Sequence, residues 1–130
     1  MATALVVDKD PHSRQILTSR LRRAGFTVIT HTTAEEALAN ATQQPTLDVA
    51  ILDVRLSGPM DGLQLCVELR HTFSTLPVIF VSTLWTPDDI VHGREVTATD
   101  NAETVYLTKP IMFSVLFAKL QHIMRIPALQ

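Results

Sequence analysis

Asp8 and Lys9, Asp53, and Lys109 each fall at or just after a short apolar run, in the stretches LVVDKD, VAILD and YLTKP. A further run, VIFV, leads into Ser82 and Thr83, and the last leads through Thr108 into Lys109 and Pro110. Carboxylate, ammonium and hydroxyl groups gathered in one place could support phosphoryl transfer. The carboxylate is a competent nucleophile when cations and positioned donors neutralise the charge that builds on the transferred oxygens. Taken singly, each residue has a plainer reading. An aspartate at a strand end often caps the next helix, and a lysine before proline can simply face solvent. Their chemistry depends on whether the chain brings them together.

The elements that would do so are legible. Apolar runs recur at ALVV, FTVI, LDVAIL, LPVIFV and TVYL, rich in Val, Ile and Leu and followed by polar or turn-forming residues, which predicts five strands. Between them lie apolar stripes at helical spacing, such as Ile16, Leu17, Leu21 and Ala24, then Ala34, Ala37, Leu38 and Ala41. Asp10 before Pro11 has the pattern of a helix cap, Thr33 to Glu36 has capping-box spacing, and Gly25 closes the first helix. A third helix is expected over 62–74, a short fourth from Thr86, and a fifth from about Ile111. The polar stretch 93–104 reads as a loop.

Strand and helix alternating five times imply right-handed crossovers and a parallel sheet covered on both faces, a doubly wound α/β fold. In such sheets ligands bind beyond the carboxyl ends of the strands, where the strand order reverses, and those ends are where the polar residues above collect.

At 130 residues and 46% hydrophobic content, a single domain with a real core is expected, with no separate output domain. The formal net charge of -2 lacks the basic excess that draws a protein onto nucleic acid. No apolar run approaches the roughly 20 residues of a membrane span. One cysteine, Cys66, and the absence of a signal-peptide pattern suit the cytoplasm. The five histidines show no metal-ligand spacing, and there is neither a glycine-rich phosphate loop nor a Ser or Cys paired with His for hydrolysis. These points argue against nucleotide-binding, flavin-binding and hydrolytic readings of the same architecture.

Taken together, LVVDKDP, AILDVRLSGPMDG, VIFVST and YLTKP resemble the receiver domains of two-component response regulators, over nearly the whole chain. The resemblance implies strand order 2-1-3-4-5. It implies that Asp53 accepts a phosphoryl group from a histidine kinase or phosphotransfer protein, with Lys109 and Ser82 assisting and Ser82 and Tyr106 forming the switch. A downstream protein of unknown identity would read that switch. In the family, two adjacent acids after the first strand hold Mg²⁺ together with the acceptor and a backbone carbonyl two residues beyond it.

Here the chain departs from the pattern. Asp8 matches the first acid, but Lys9 stands in place of the second, and Asp10 is better explained as the cap of the first helix. Asp8, Asp53 and the Arg55 carbonyl would be left to hold Mg²⁺ weakly or not at all. An ammonium about 4 Å away opposes a divalent ion by roughly 8 kcal/mol at an effective dielectric of about 20. Lys9 is expected either to stand in for the metal's charge beside Asp53, to swing aside, or to point into solvent. Two other functions stay open: a binding module that works without phosphorylation because Lys9 has replaced a metal ligand, and a Mg²⁺-dependent phosphohydrolase using Asp53. The lack of a second acid after Asp53 counts against the hydrolase.

The last helix carries two apolar stripes, Met112, Val115, Leu116, Leu120 and Ile123, and Phe113, Phe117, Leu120 and Met124. The second stripe is a candidate surface for a homodimer or partner, with core packing the commoner reading of such a stripe. Trp85 reads as a docking aromatic or a cover over the core, and Cys66 as a small buried hydrophobe.

Overall fold

The computed structural model describes residues 2–97 and 102–126. Five strands, β1 (Thr3–Val7), β2 (Thr27–His31), β3 (Val49–Asp53), β4 (Val78–Ser82) and β5 (Thr104–Thr108), alternate with five helices. The helices are α1 (Pro11–Arg23), α2 (Ala34–Ala41), α3 (Gly62–Thr72), α4 (Pro87–Thr97) and α5 (Phe113–Met124). All strand pairs are parallel and the order is β2-β1-β3-β4-β5, as the family resemblance implied.

Alternation along the strands divides the core in two. Leu5, Val7, Ala50, Leu52 and Phe80 face α2 and α3, where they meet Ala37, Leu65 and Cys66. Ala4, Val6, Ile51, Ile79 and Val81 face α1 and α5, where they meet Leu17, Leu21, Leu116 and Leu120. Because β1, β3 and β4 are covered on both faces, nearly every position in them is apolar, and the polar residues fall at their ends.

The helix caps match the local sequence. The Asp10 carboxylate accepts from the His12 N–H at 3.1 Å and from the Ser13 hydroxyl at 2.9 Å, with Pro11 in the first turn. Thr33 caps α2 through the Glu36 N–H, and Asp61 caps α3 through the Gln64 N–H.

One expectation is corrected and one left open is resolved. The stretch 93–104 is not a loop from its start: α4 runs on through Gly93 to Thr97, while residues 98–101 lie outside the described residues. Gly93 fits there because α4 comes close to β5 at that point. A Cβ on Gly93 would lie 3.0 Å from the Tyr106 hydroxyl. In α5 both apolar stripes contribute to the core, Leu116, Leu120 and Ile123 of the first being buried. Phe113, Phe117 and Met124 pack against the core with the Arg20 guanidinium 4.3 Å from the Phe113 ring centre, whereas Met112 and Val115 are exposed. Free apolar surface on α5 therefore belongs to the first stripe.

Candidate functional site

Strand register brings the polar residues together. Val7 pairs with Leu52, so the residues that follow, Asp8 and Asp53, emerge side by side at the carboxyl edge between β1 and β3, where the strand order reverses. On the other flank Ser82 pairs with Thr108, and the Lys109 N–H donates to the Ser82 carbonyl at 2.8 Å, which directs Lys109 back over the sheet. The Lys109–Pro110 peptide bond is cis.

Asp8 is 1% exposed and Asp53 5%. Lys109 Nζ lies 2.8 Å from Asp8 Oδ2 and 3.0 Å from Asp53 Oδ2, one cation between two acids. Each carboxylate is also held by backbone: Asp8 Oδ1 accepts from the Asp10 N–H and Asp53 Oδ1 from the Arg55 N–H, both at 2.9 Å. Arg14, from α1, donates to the Asp8 carbonyl at 2.8 Å and ties the helix to the strand end.

The electrostatics follow from burial and shared charge. Burial pushes the Asp8 carboxyl above its ordinary value, and the hydrogen bond and charge of Lys109 offset this only in part. For Lys109 burial works against the ammonium, but hydrogen bonds and charge from Asp8 and Asp53 outweigh it and raise its pKa. The exposed Asp10 carboxyl is held below the usual range, chiefly by the Ser13 hydroxyl and then by the His12 N–H. These are the marks of a helix cap.

Lys9 does not join the ion cluster. It is exposed at the rim of a cleft of about 620 Å³ that also touches Asp53, Arg55, Thr83 and Lys109, and among the described residues it has no ion-pair partner. Of the three readings of Lys9, the structure agrees with the solvent-facing one: Lys109 is the cation beside Asp53, and the lysine stem at position 9 carries its charge outward.

Of the side chains that the family resemblance implies for Mg²⁺, this chain supplies Asp8 and Asp53. Among the described residues no three His, Cys, Asp or Glu side chains converge as a metal site. The two carboxylates present share one lysine, and each has its other oxygen on a backbone N–H. A hard divalent ion would have to displace those contacts.

Ser82 and Tyr106 occupy separate niches. The buried Ser82 hydroxyl donates to the Leu84 carbonyl at 2.9 Å, and the Leu84 N–H donates back to it at 3.3 Å. Tyr106 stacks on Phe80 with ring centres 5.5 Å apart and takes the Trp85 ring edge-on at 5.4 Å. Among the described residues the buried Tyr106 hydroxyl has no hydrogen-bond partner. Trp85 covers the core rather than projecting, its indole N–H donating to the Leu107 carbonyl at 3.1 Å.

Some residues that shape the site were not singled out from sequence. Gly62 opens α3 directly against the end of β3, where an added Cβ would lie 2.1 Å from the Asp53 carbonyl oxygen. Its place after the Asp61 cap was the available signal. Asp89 ion-pairs with the Arg55 guanidinium, and its place in the first turn of the helix expected from Thr86 was the available signal. Arg14 carried no comparable signal.

Known proteins are similar to this chain in sequence and fold. The family model for the response regulator receiver domain matches residues 4–121. The chain is 34% identical over 122 residues to the alkaline phosphatase synthesis transcriptional regulatory protein PhoP of Bacillus subtilis, covering 93% of this chain and 48% of that protein. It is 35% identical over 121 residues to the probable transcriptional regulator ycf27 of Guillardia theta, covering 93% and 44%. The chain thus spans about half the length of these regulators. Among solved structures, Vibrio cholerae chemotaxis protein CheY4 superposes with a TM-score of 0.81 at 30% identity, covering 95% of this chain and 98% of that one. A two-component response regulator from Clostridium difficile gives 0.83 at 25% identity, covering 96% and 97%. With the family model spanning nearly all of the described fold, the chain belongs to the response regulator receiver domains of two-component signal transduction.

Proposed function

We propose that Asp53 accepts a phosphoryl group from the phosphohistidine of a histidine kinase or phosphotransfer protein, and that the modified domain changes its binding to a downstream protein. The observation that carries this reading is the Asp53 carboxylate at the cleft with Lys109 Nζ 3.0 Å from one of its oxygens. An Asp53 oxygen attacks phosphorus as the P–N bond to the donor imidazole breaks. The bonding pair leaves with the imidazole nitrogen, which is protonated from water, and Asp53 becomes an acyl phosphate. Lys109 offsets the charge on the transferred oxygens, and Asp8 keeps the ammonium in place.

The switch follows from competition for the Ser82 hydroxyl. Its present partners are backbone groups of Leu84. A hydrogen bond to a charged acceptor contributes on the order of 1.5 to 3 kcal/mol, comparable with the few kcal/mol that separate conformers in a typical switch. A phosphoryl group on Asp53 would draw Ser82 toward it and change the packing around Tyr106, on the neighbouring strand. A homodimer or partner contact through α5 would use the exposed Met112 and Val115.

The domain acts as a switch rather than an enzyme in the ordinary sense, catalysing at most its own modification and its reversal. It needs Mg²⁺ weakly or not at all, because the donor set is two shared carboxylates. No helix among the described residues is long and apolar enough to cross a membrane. With that and the net charge of -2, cytoplasmic action through protein partners, without direct nucleic-acid contact by this domain, is the consistent reading.

Acetyl phosphate, added with and without Mg²⁺ and followed by intact mass, tests this function. The expected product carries one phosphoryl group, forms at similar rates in both conditions and is absent in Asp53→Asn. No adduct under either condition favours a phosphorylation-independent binding module, and rapid phosphate release without an adduct favours a hydrolase.

A further inference from the structure

Arg55 touches the acceptor and the fourth helix at once. Its backbone N–H donates to Asp53 Oδ1 at 2.9 Å, and its guanidinium is paired with the Asp89 carboxylate in the first turn of α4. Asp89 is also half of the cap of that helix: the Thr86 N–H donates to Asp89 Oδ2 at 2.9 Å, and the Asp89 N–H donates to Thr86 Oγ1 at 3.1 Å. One carboxylate oxygen therefore serves the Arg55 guanidinium and the Thr86 N–H together. These contacts hold the Asp89 carboxyl below the usual range, the Thr86 N–H contributing most.

The pair is poised rather than locked. The Arg55 side chain is 46% exposed and lines the same cleft as Asp53, Lys9 and Lys109, so its guanidinium can turn from Asp89 into the cleft without unpacking the core. Exposed ion pairs contribute little to stability. A phosphoryl group carries about two negative charges and three acceptor oxygens, which match the guanidinium fork better than a carboxylate already shared with a backbone N–H.

We propose that Arg55 is the coupling between the acceptor and α4: Asp89 holds its guanidinium while Asp53 is unmodified, and a phosphoryl group on Asp53 draws it away and loosens the α4 cap. This rests on the reading of Asp53 as acceptor and adds to it a second output path, separate from Ser82 and Tyr106. The charge at position 55 turns chemistry on β3 into mobility at the start of α4. Arg55 thus acts as a positioning residue for the helix and as a ligand for the modified acceptor.

Hydrogen exchange at the first-turn amides of α4, Asp89 and Ile90, reads the coupling, and intact mass on the same samples reads whether acetyl phosphate has modified Asp53. Upon modification, exchange in the wild type is expected to rise roughly fivefold, the scale of one exposed ion pair. In Arg55→Ala it should be raised beforehand and unaffected by the adduct, and Arg55→Lys should respond less than the wild type. An adduct that leaves α4 exchange unchanged, or that changes it equally in Arg55→Ala, overturns the coupling while leaving the acceptor role intact. A second preparation separates the two ideas fully. Asp53→Cys alkylated to carry a phosphonomethyl group places similar charge at the site without any phosphodonor. A response to it that depends on Arg55 supports the coupling even if acetyl phosphate gives no adduct, and no such response overturns it.

Discussion

The Lys109 ammonium stands 3.0 Å from Asp53 Oδ2, and both side chains are nearly sealed from water, although 56 residues separate them in the chain. The same ammonium reaches Asp8, so its removal leaves two buried acids facing one another without a counter-ion. Lys109→Met is expected to slow phosphoryl acceptance by about a hundredfold, the scale of losing one positioned charge. It should also destabilise the fold by about 3 kcal/mol at neutral pH. Phosphorylation rates and urea unfolding at neutral and acidic pH check both effects, the stability loss shrinking as the acids take up protons.

The pH dependence of stability has opposite signs at the two ends of this cluster. Asp8 has a raised folded pKa, so the folded state binds its proton more tightly than the unfolded chain does. Its contribution makes the fold gain stability as pH falls through the raised value toward the ordinary 3.8, with no further change below. Asp8→Asn should abolish that acid-side gain and stabilise the protein near neutrality. Lys109 contributes stability that is fully present below 10.5 and is lost as pH rises beyond it through the raised folded value. Chemical denaturation across pH in the wild type and Asp8→Asn measures both limbs, and a wild type that loses stability on moving from neutrality to mild acid with no Asp8 dependence would contradict the assignment.

Gly62 has no room for a side chain. A methyl group there would meet the Asp53 carbonyl oxygen at 2.1 Å, a backbone atom that cannot rotate aside. Gly62→Ala should cost about 3 kcal/mol in urea denaturation, the upper range for overpacking, and should lower phosphoryl acceptance through displacement of the acceptor strand end.

Tyr106 and Gly93 should be energetically coupled. Tyr106→Phe removes a buried hydroxyl without a partner and is expected to stabilise the fold by about 1 kcal/mol. Gly93→Ala improves helix propensity but places its Cβ 3.0 Å from that hydroxyl and 3.1 Å from ring carbon Cε1, and Tyr106→Phe removes only the first of these contacts. The alanine should therefore be better tolerated in the Tyr106→Phe background than beside the native tyrosine, with a coupling energy of about 0.5 kcal/mol or more in a double-mutant cycle.

Lys9 provides a test of metal fit. Lys9→Asp restores a second acid beside Asp8 and removes a cation from the cleft rim, so Mg²⁺ affinity measured by titration calorimetry should rise at least about tenfold. Equal affinity in the two proteins would show that position 9 does not limit metal binding.

How much was legible from sequence varies with the range of the interactions involved. The strands and the meeting of Asp8, Asp53 and Lys109 were legible because a parallel sheet buried on both faces forces polar residues to strand ends, and register does the rest. The α1 cap was legible because Asp10, Pro11 and Ser13 act within four residues. The extent of α4 was not, since its polar sequence gives little periodicity and Gly93 is accommodated by a contact with Tyr106, thirteen positions away in the chain. Nor was the direction of Lys9, because a flexible stem leaves the ammonium's position to its neighbours and Lys109 was already between the acids. Whether the second stripe of α5 faces the core or a partner was open for the same reason: Arg20, on another helix, stands over the Phe113 ring.

The most direct test of the central claim is to locate the modified atom. After treatment with acetyl phosphate, borohydride reduction converts an aspartyl phosphate to homoserine, and peptide mapping reads the position. The account predicts homoserine at position 53 alone, in a yield that falls to background in Lys109→Met. Homoserine at another aspartate, or none at position 53 in a protein that has gained a phosphoryl group, would contradict it.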